Sequence, residues 1–397
     1  MGISYVDAPP ATADVVVIGG GIVGAATAFH LARAGLRPVI VERRPALCTL
    51  TTAAAAGGFR LQLDTQEEVA VVGESVELFR SFAEATGQRE YDPRVRDQGY
   101  LWVTTTSRGA ERQLRLAAEQ QGWGVDGVEV LPGDEARARF PYLAPEVTQV
   151  RFRQGDGLID PKALAFGLAA GSAAPVAVGT SVTGFELRAD RLAAVRTDRG
   201  TISTQRAVIA CGPLSGLLAT RAGVTLPIET IRRHKLTLPD VPEVPTDAPM
   251  TIDEDTGAHW RPAFAGAWAL FTDPATPPTP PEEAVPSDPG FAFQVLDPAS
   301  PAALARVTPF WREVWERGSA HWLLQAGQYT MTPDRRPLIG ETEVEGMYVN
   351  TGYSGHGVMA SPAASRILAE VISEKRLGDD NPFRPDRAFA APHQGVL

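Results

Sequence analysis

From Val15 to Ala32 the chain runs for 18 residues without an Asp, Glu, Lys or Arg, just long enough to be weighed as a membrane span. Four glycines argue against that reading. Gly19, Gly20, Gly21 and Gly24 divide the run into an apolar strand (13–18) and a helix (22–34) ended by Gly35, and a second strand (37–41) follows. This is a βαβ unit with a G-x-G-x-x-G turn, and Glu42 closes its second strand 18 residues after Gly24. Each position has a mechanical reason. Gly19 permits the tight strand-to-helix turn, Gly21 lets backbone N–H groups approach a pyrophosphate at the helix N-terminus, and Gly24 allows close helix–strand packing. Ile22 and Val23 open that helix, and Glu42 stands where a carboxylate accepts hydrogen bonds from an adenosine ribose.

The remaining composition narrows the class. The 397 residues are 44% hydrophobic and 21% charged, enough for about two domains of ordered globular protein. A net charge of -10 gives no footprint for nucleic-acid backbones. The two cysteines, Cys48 and Cys211, are too few for a disulfide scaffold or a four-ligand zinc site, and neither His259 nor His321 has ligand-spaced partners, so no metal is expected. Cysteine usage and the absence of a signal-like start point to a cytoplasmic protein with no membrane span, and residues 1–14 read as a short mobile leader.

After the βαβ unit the chain does not continue through regular βα units. A Thr/Ala/Gly stretch (49–58) precedes a long helix (65–86), then a strand (99–104) and two helices (108–121 and 133–140). Asp160-Pro161 makes a helix start, with Asp160 as N-cap. Strand signals at 176–178, 182–187, 192–197 and 200–203 read as one small sheet, followed by a buried strand (207–210). The pattern from 232 to 293 is β-rich, interrupted by a seven-proline segment (274–290) that reads as an extended surface loop. The last hundred residues return to α/β, with a strand (347–350), a glycine-rich turn (351–357) and a helix (361–375). This layout favours FAD over NAD, because an isoalloxazine needs a second set of loops. The late helix, beginning near Val358, would aim its positive end at the flavin.

VVVIGGGIVGAATAFHLARAG with Glu42-Arg43, TTAAAAGGFR, GLIDP, VIACGPLS, QYTMTPDRRPLIG and MYVNTGYSGHGVMASPAASRILAEVI resemble, in order and over nearly the whole chain, the D-amino-acid-oxidase superfamily of flavoproteins. The nearest likeness is to glycine and sarcosine oxidases and the β subunits of sarcosine oxidase and proline dehydrogenase. The resemblance implies an α/β (α+β) fold in which a glutathione-reductase-type Rossmann domain for FAD (1–90, 145–220 and 325–397) is interleaved with a β-sheet-rich substrate domain (91–144 and 221–324). It implies pyrophosphate contacts at Ile22 and Val23, adenosine contacts at Glu42 and Arg43, and pyrophosphate and flavin-edge contacts at Thr52, Ala53, Gly57, Gly58 and Arg60. Val182 would meet the adenine through its backbone, Gly212 would pass close to the cofactor, and Gly355, His356, Gly357 and Val358 would surround the flavin pyrimidine edge. Three departures stand out. Gly327 lies near the place of the cysteine that binds flavin covalently in monomeric sarcosine oxidases, so noncovalent FAD is expected. Met359 replaces a substrate-binding lysine, and no oxygen-activating lysine has an evident counterpart in 260–271. Tyr329 and the Ser354–His356 turn stand where glycine oxidases place arginines.

The chemistry implied is oxidation of glycine, an N-substituted glycine or a related secondary amino acid, with oxygen or another acceptor taking the electrons, in specialised biosynthesis if the substrate is larger than sarcosine. A carboxylate substrate calls for a cation. Arg60, Arg261 and the Arg232-Arg233-His234 cluster are candidates, with Tyr329 to hydrogen-bond substrate and His356 to shape the flavin environment. Trp260, Trp268, Phe264 and Phe271 are candidates for an apolar pocket. A 2-hydroxy-acid oxidoreductase on the same fold, and a flavin-bearing subunit or assembly factor of a larger complex, are the alternative readings.

Overall fold

Along Val15–Ile18 successive side chains point to opposite sides, and both sides are buried, as a parallel strand between two layers requires. The computed structural model describes residues 2–318, 321–376 and 380–391. The expected domain stretches therefore include a few residues outside the described ones, at 1, 319–320, 377–379 and 392–397.

Two large sheets organise the chain. The first has seven strands in the order Ser4–Tyr5, Pro175–Ala177, Pro38–Val41, Val15–Ile18, Ala207–Ile209, Met347–Thr351 and Leu338–Glu341. All neighbours run parallel except the last pair. Val15 and Val17 face a layer of helices (Ile22–Arg33, Gln66–Arg80, Pro161–Ser172 and Gly357–Ile372). Val16 and Ile18 face Phe185, Val195 and Ile202 of a three-stranded antiparallel sheet (Val182–Arg188, Arg191–Thr197, Gly200–Ser203).

Several sequence expectations change here. Residues 4–5 form an edge strand and Ala11 accepts a backbone bond from Ser203, so the expected leader is pinned to the sheet. The strand at 175–177 joins the seven-stranded sheet rather than the small one. The long helix expected over 65–86 breaks at Ser81, and Gly290–Leu296, read as β-rich, is helical. Asp160 does cap its helix, accepting from the N–H groups of Lys162 and Ala163.

The second sheet has eight strands in the order Leu323–Met331, Glu229–Leu238, Gly266–Phe271, Ala258–Ala263, Met250–Asp253, Tyr100–Thr104, Gln149–Arg153 and Val128–Pro132. Two of them, 149–153 and 323–331, fall wholly or largely within stretches expected to bind cofactor. The period-2 alternation gives this sheet two different faces. On one, Leu236, Leu238, Trp260, Ala267 and Ala269 pack on Phe291, Val295, Trp311 and Val314, and farther along Leu101, Val103, Val150 and Phe152 pack on Phe140, Leu143 and Val147. On the other, Tyr100, Met250, His259, Leu270, Arg233 and Tyr329 line a cavity between the two sheets.

Candidate active site

The cavity has a volume of about 680 Å³ and runs from the Gly19–Gly21 turn to the Gly355–Val358 turn. Two helix N-termini open onto it. The helix Ile22–Arg33 has Gly21 as N-cap and no side-chain cap, and the Ile22 N–H donates to Thr52 Oγ1 at 3.1 Å. The helix Gly357–Ile372 has His356 as N-cap and again no side-chain cap. Unpaired N–H groups and the helix dipole make each terminus favourable for negative charge. A buried network locks the two helices together. Asn350 Nδ2 donates to Thr27 Oγ1 and to Ser365 Oγ, each at 3.0 Å, and Tyr353 Oη donates to Asn350 Oδ1.

At the first terminus the fit is set by backbone. A Cβ on Gly24 would lie 1.8 Å from the Gly19 carbonyl oxygen, and Gly19 itself sits at φ +117° against Ala210. Glu42 accepts from the N–H of Gly20 at 2.6 Å and of Arg44 at 2.8 Å, which orients its carboxylate at the end of its strand. Cys48 and Cys211 line this end, and burial pushes both thiols up to about 12, so they stay protonated. The seven-proline segment, expected as a surface loop, folds over the same end. Buried Gln328 holds it, donating to Thr279 Oγ1 and the Pro280 carbonyl and accepting from the Glu282 N–H, and Glu283 forms an ion pair with Arg43 at 2.5 Å.

The second end is built from side chains. Arg60 is buried, stacks against the rings of Tyr100 and Trp102, and donates to the Gln62 carbonyl. Its Nη2 lies 3.1 Å from His356 Nε2, and His356 Nδ1 lies 3.2 Å from Glu68 Oε1. A guanidinium only donates and a carboxylate only accepts, so this hydrogen-bonded chain orients the His356 ring with Nδ1–H toward Glu68 and Nε2 toward Arg60. Burial raises the Glu68 carboxyl, but the His356 hydrogen bond and Thr65 outweigh it and hold it below its ordinary value. Burial keeps His259 neutral, down to about 4, and its Nδ1 faces the Gly257 carbonyl at 2.8 Å. Burial also raises Tyr329, and pushes Tyr100 to about 12, so both remain phenols.

Most expected site residues meet at this cavity. Gly19, Gly21, Ile22, Val23, Glu42, Arg43, Thr52, Gly57, Gly58, Arg60, Val182, Gly212, Tyr329, Gly355, His356, Gly357 and Val358 all line it. Gly24 supports the turn from behind, and Ala53 offers its carbonyl to Lys235 Nζ at 3.3 Å. Arg261 does not line the cavity: its guanidinium sits 3.9 Å from the Trp268 ring centroid and donates to the Pro262 carbonyl. None of the four expected pocket aromatics lines it either. Trp260 is fully buried on the opposite face, Phe264 is 75% exposed, and Trp268 and Phe271 pack elsewhere. Sequence reasoning missed Glu68, Tyr100, Met250, Lys235 and Gln328. The alternation of Met250, Ile252 and His259 with outward neighbours was the one available signal for the cavity face.

A dinucleotide fits these residues: two open helix termini, a glycine cradle with no room for a Cβ, and an acceptor carboxylate at the strand end. No helix among the described residues is long and apolar enough to cross a membrane. Comparisons with known proteins agree with the geometry. Glycine oxidase of Pseudomonas aeruginosa is 26% identical, over 94% of this chain and 98% of that protein. Sarcosine dehydrogenase of Mus musculus is 26% identical over 92% of this chain, which spans only 40% of that longer protein. The crystal structure of L-proline dehydrogenase from P. horikoshii superposes with a TM-score of 0.80 and 26% identity, covering 93% of this chain and 95% of that one. The model of the DAO family, described as FAD dependent oxidoreductase, matches residues 14–371, and the chain belongs to that family.

Proposed function

We propose that this FAD-dependent oxidoreductase oxidises the C–N bond of an amino acid, namely glycine, an N-substituted glycine or a related secondary amino acid. One observation carries the reading. Arg60 and Arg233 line the cavity, whereas the acids that line it among the described residues, Glu42 and Glu283, belong to the opposite end. Such a wall attracts a carboxylate. It also disfavours an ammonium, because a positive amine meets cations and no counter-ion, so the substrate amine is held as its free base. The relatives named for glycine, sarcosine and L-proline point to the same substrate class.

Held by the Gly19–Gly24 turn, Glu42 and the Gly355–Val358 turn, FAD would supply the two-electron acceptor for oxidation of the substrate C–N bond, and water would then hydrolyse the oxidised substrate to a carbonyl product and a free amine. The chain's own residues have orientation as their main task. Cations hold the carboxylate, Tyr100 and Tyr329 offer hydroxyl donors, and Met250 and Leu270 exclude water from the α-carbon. His356, oriented by Glu68 and Arg60, sits at the N-terminus of the late helix, where charge collects on the reduced cofactor. In this reading residues 1–90, 145–220 and 325–397 hold the cofactor apart from strands 149–153 and 323–331, which join 91–144 and 221–324 on the substrate side.

The test is anaerobic titration of the yellow protein with glycine, sarcosine, L-proline and iminodiacetate, and separately with 2-hydroxy acids. Bleaching by one of the amines is expected. Bleaching by 2-hydroxy acids alone overturns the reading in favour of the alcohol-oxidising alternative. Bleaching by nothing, with stoichiometric co-purification of a partner, favours a role as a flavin-bearing subunit.

A further inference from the structure

Five arginines cluster around the substrate end, and four of them are already committed. Arg60 is held by the Gln62 carbonyl and His356. Arg151 is buried behind Trp102 and donates to Gln120 Oε1. Arg261 rests on Trp268 outside the cavity. Arg232, on the other face of its strand, lies 3.7 Å from Glu282.

Arg233 differs from all of these. It lines the cavity, its guanidinium carbon lies 5.9 Å from the Tyr329 ring centroid, and its Nη1 donates to the Asp273 carbonyl at 3.1 Å. Its Nε, like those of Arg151, Arg232 and Arg261, is buried with no partner among the described residues, but of these four arginines Arg233 alone lines the cavity. Directly across the strand pair stands Gly327, which also lines the cavity. An unanswered buried donor on a charged fork is costly unless a ligand answers it. Burial lowers the Arg233 pKa.

The geometry points to Arg233 as the anchor for the substrate's α-carboxylate, with the Tyr329 ring as its platform. This rests on the amino-acid reading given above and deepens it.

The test uses the FAD-loaded protein and two inert probes that copy the skeleton of sarcosine, methoxyacetate and its neutral amide, methoxyacetamide. Binding is read by calorimetry and by the shift in melting temperature, so turnover is not needed. The wild-type protein is expected to prefer the acid by at least about tenfold, and Arg233→Met to lose about 30-fold in affinity for the acid while changing little toward the amide. Arg233→Lys keeps the charge without the fork and should lose about tenfold, which guards against a variant that fails simply through poor folding. If wild type prefers the acid and both variants keep that preference within about threefold, the assignment to Arg233 is overturned while the amino-acid reading stands. If wild type shows no preference for the acid, the reading itself falls and takes this inference with it.

Discussion

The two ends of the cavity are made in opposite ways. The nucleotide end is backbone: a glycine turn, an uncapped helix terminus and one carboxylate, most of it from residues 18–44. The substrate end is side chain, assembled from Arg60, Tyr100, Arg233, His259, Tyr329 and His356, which are scattered over some 300 positions. A backbone site tolerates no added atom but is indifferent to most side chains. A side-chain site tolerates changes of size and depends on charge and hydrogen-bond partners instead.

Substitutions at the two ends sharpen that contrast. Gly24→Ala has the largest expected effect, because its methyl would meet the Gly19 carbonyl at 1.8 Å and backbone must move. A loss of about 3 kcal/mol in stability and a colourless purified protein are expected, read by denaturation and by flavin absorbance. Retention of stoichiometric FAD would break the claim that this end is sterically exact. Next comes Glu68→Leu, which leaves His356 Nδ1–H buried without its acceptor. Here about 2 kcal/mol should be lost, FAD should still bind, and cofactor reduction should slow because His356 is free to take either tautomer. Glu68→Gln keeps an amide oxygen as acceptor and should restore most of both.

Acid provides a third probe. The folded pKa of His259 is about 4, below the ordinary value of 6.5, so the unfolded chain binds the extra proton first as pH falls. The contribution of His259 to stability is therefore complete above about 6.5 and declines toward 4, by about 1 kcal/mol at pH 5.5. His259→Gln should flatten this slope in a plot of melting temperature against pH. The smallest effect belongs to Glu283→Ala at the nucleotide end. Its pair with Arg43 is two-thirds exposed on the glutamate side and should be worth under about 1 kcal/mol, with a modest rise in the rate of FAD release in dilute solution.

The same contrast explains what the sequence made legible. Gly19 to Glu42 could be read directly, because each residue's task depends on neighbours a few positions away. The Asp160 cap and the late helix were equally local. Trp260 was misjudged because its role depends on which face of the second sheet it occupies, and a one-residue shift in register reverses every side chain, whereas Arg261 shares the face of His259 but is held beyond the cavity by its cross-strand partner Trp268. Residues 4–5 looked mobile because their partner strand, 175–177, lies far along the chain. Glu68 reads as an ordinary first-turn helix acid until the fold brings His356 to it, and Lys235 is one cation among several until the carbonyls of Ala53 and Ala55 appear beside it.

The order of strands in the seven-stranded sheet also has a consequence for synthesis. Ala207–Ile209 stands between Val15–Ile18 and Met347–Thr351, so one of its edges stays unpaired until the last of these leaves the ribosome. The growing chain thus carries a bare, fully apolar strand edge for roughly 140 residues of translation, during which it is most exposed to misassociation. The helix that completes the flavin end follows at 357–372, so a binding-competent cavity forms only once these residues have been made, and slow delivery of them should be felt as aggregation before it is felt as lost catalysis.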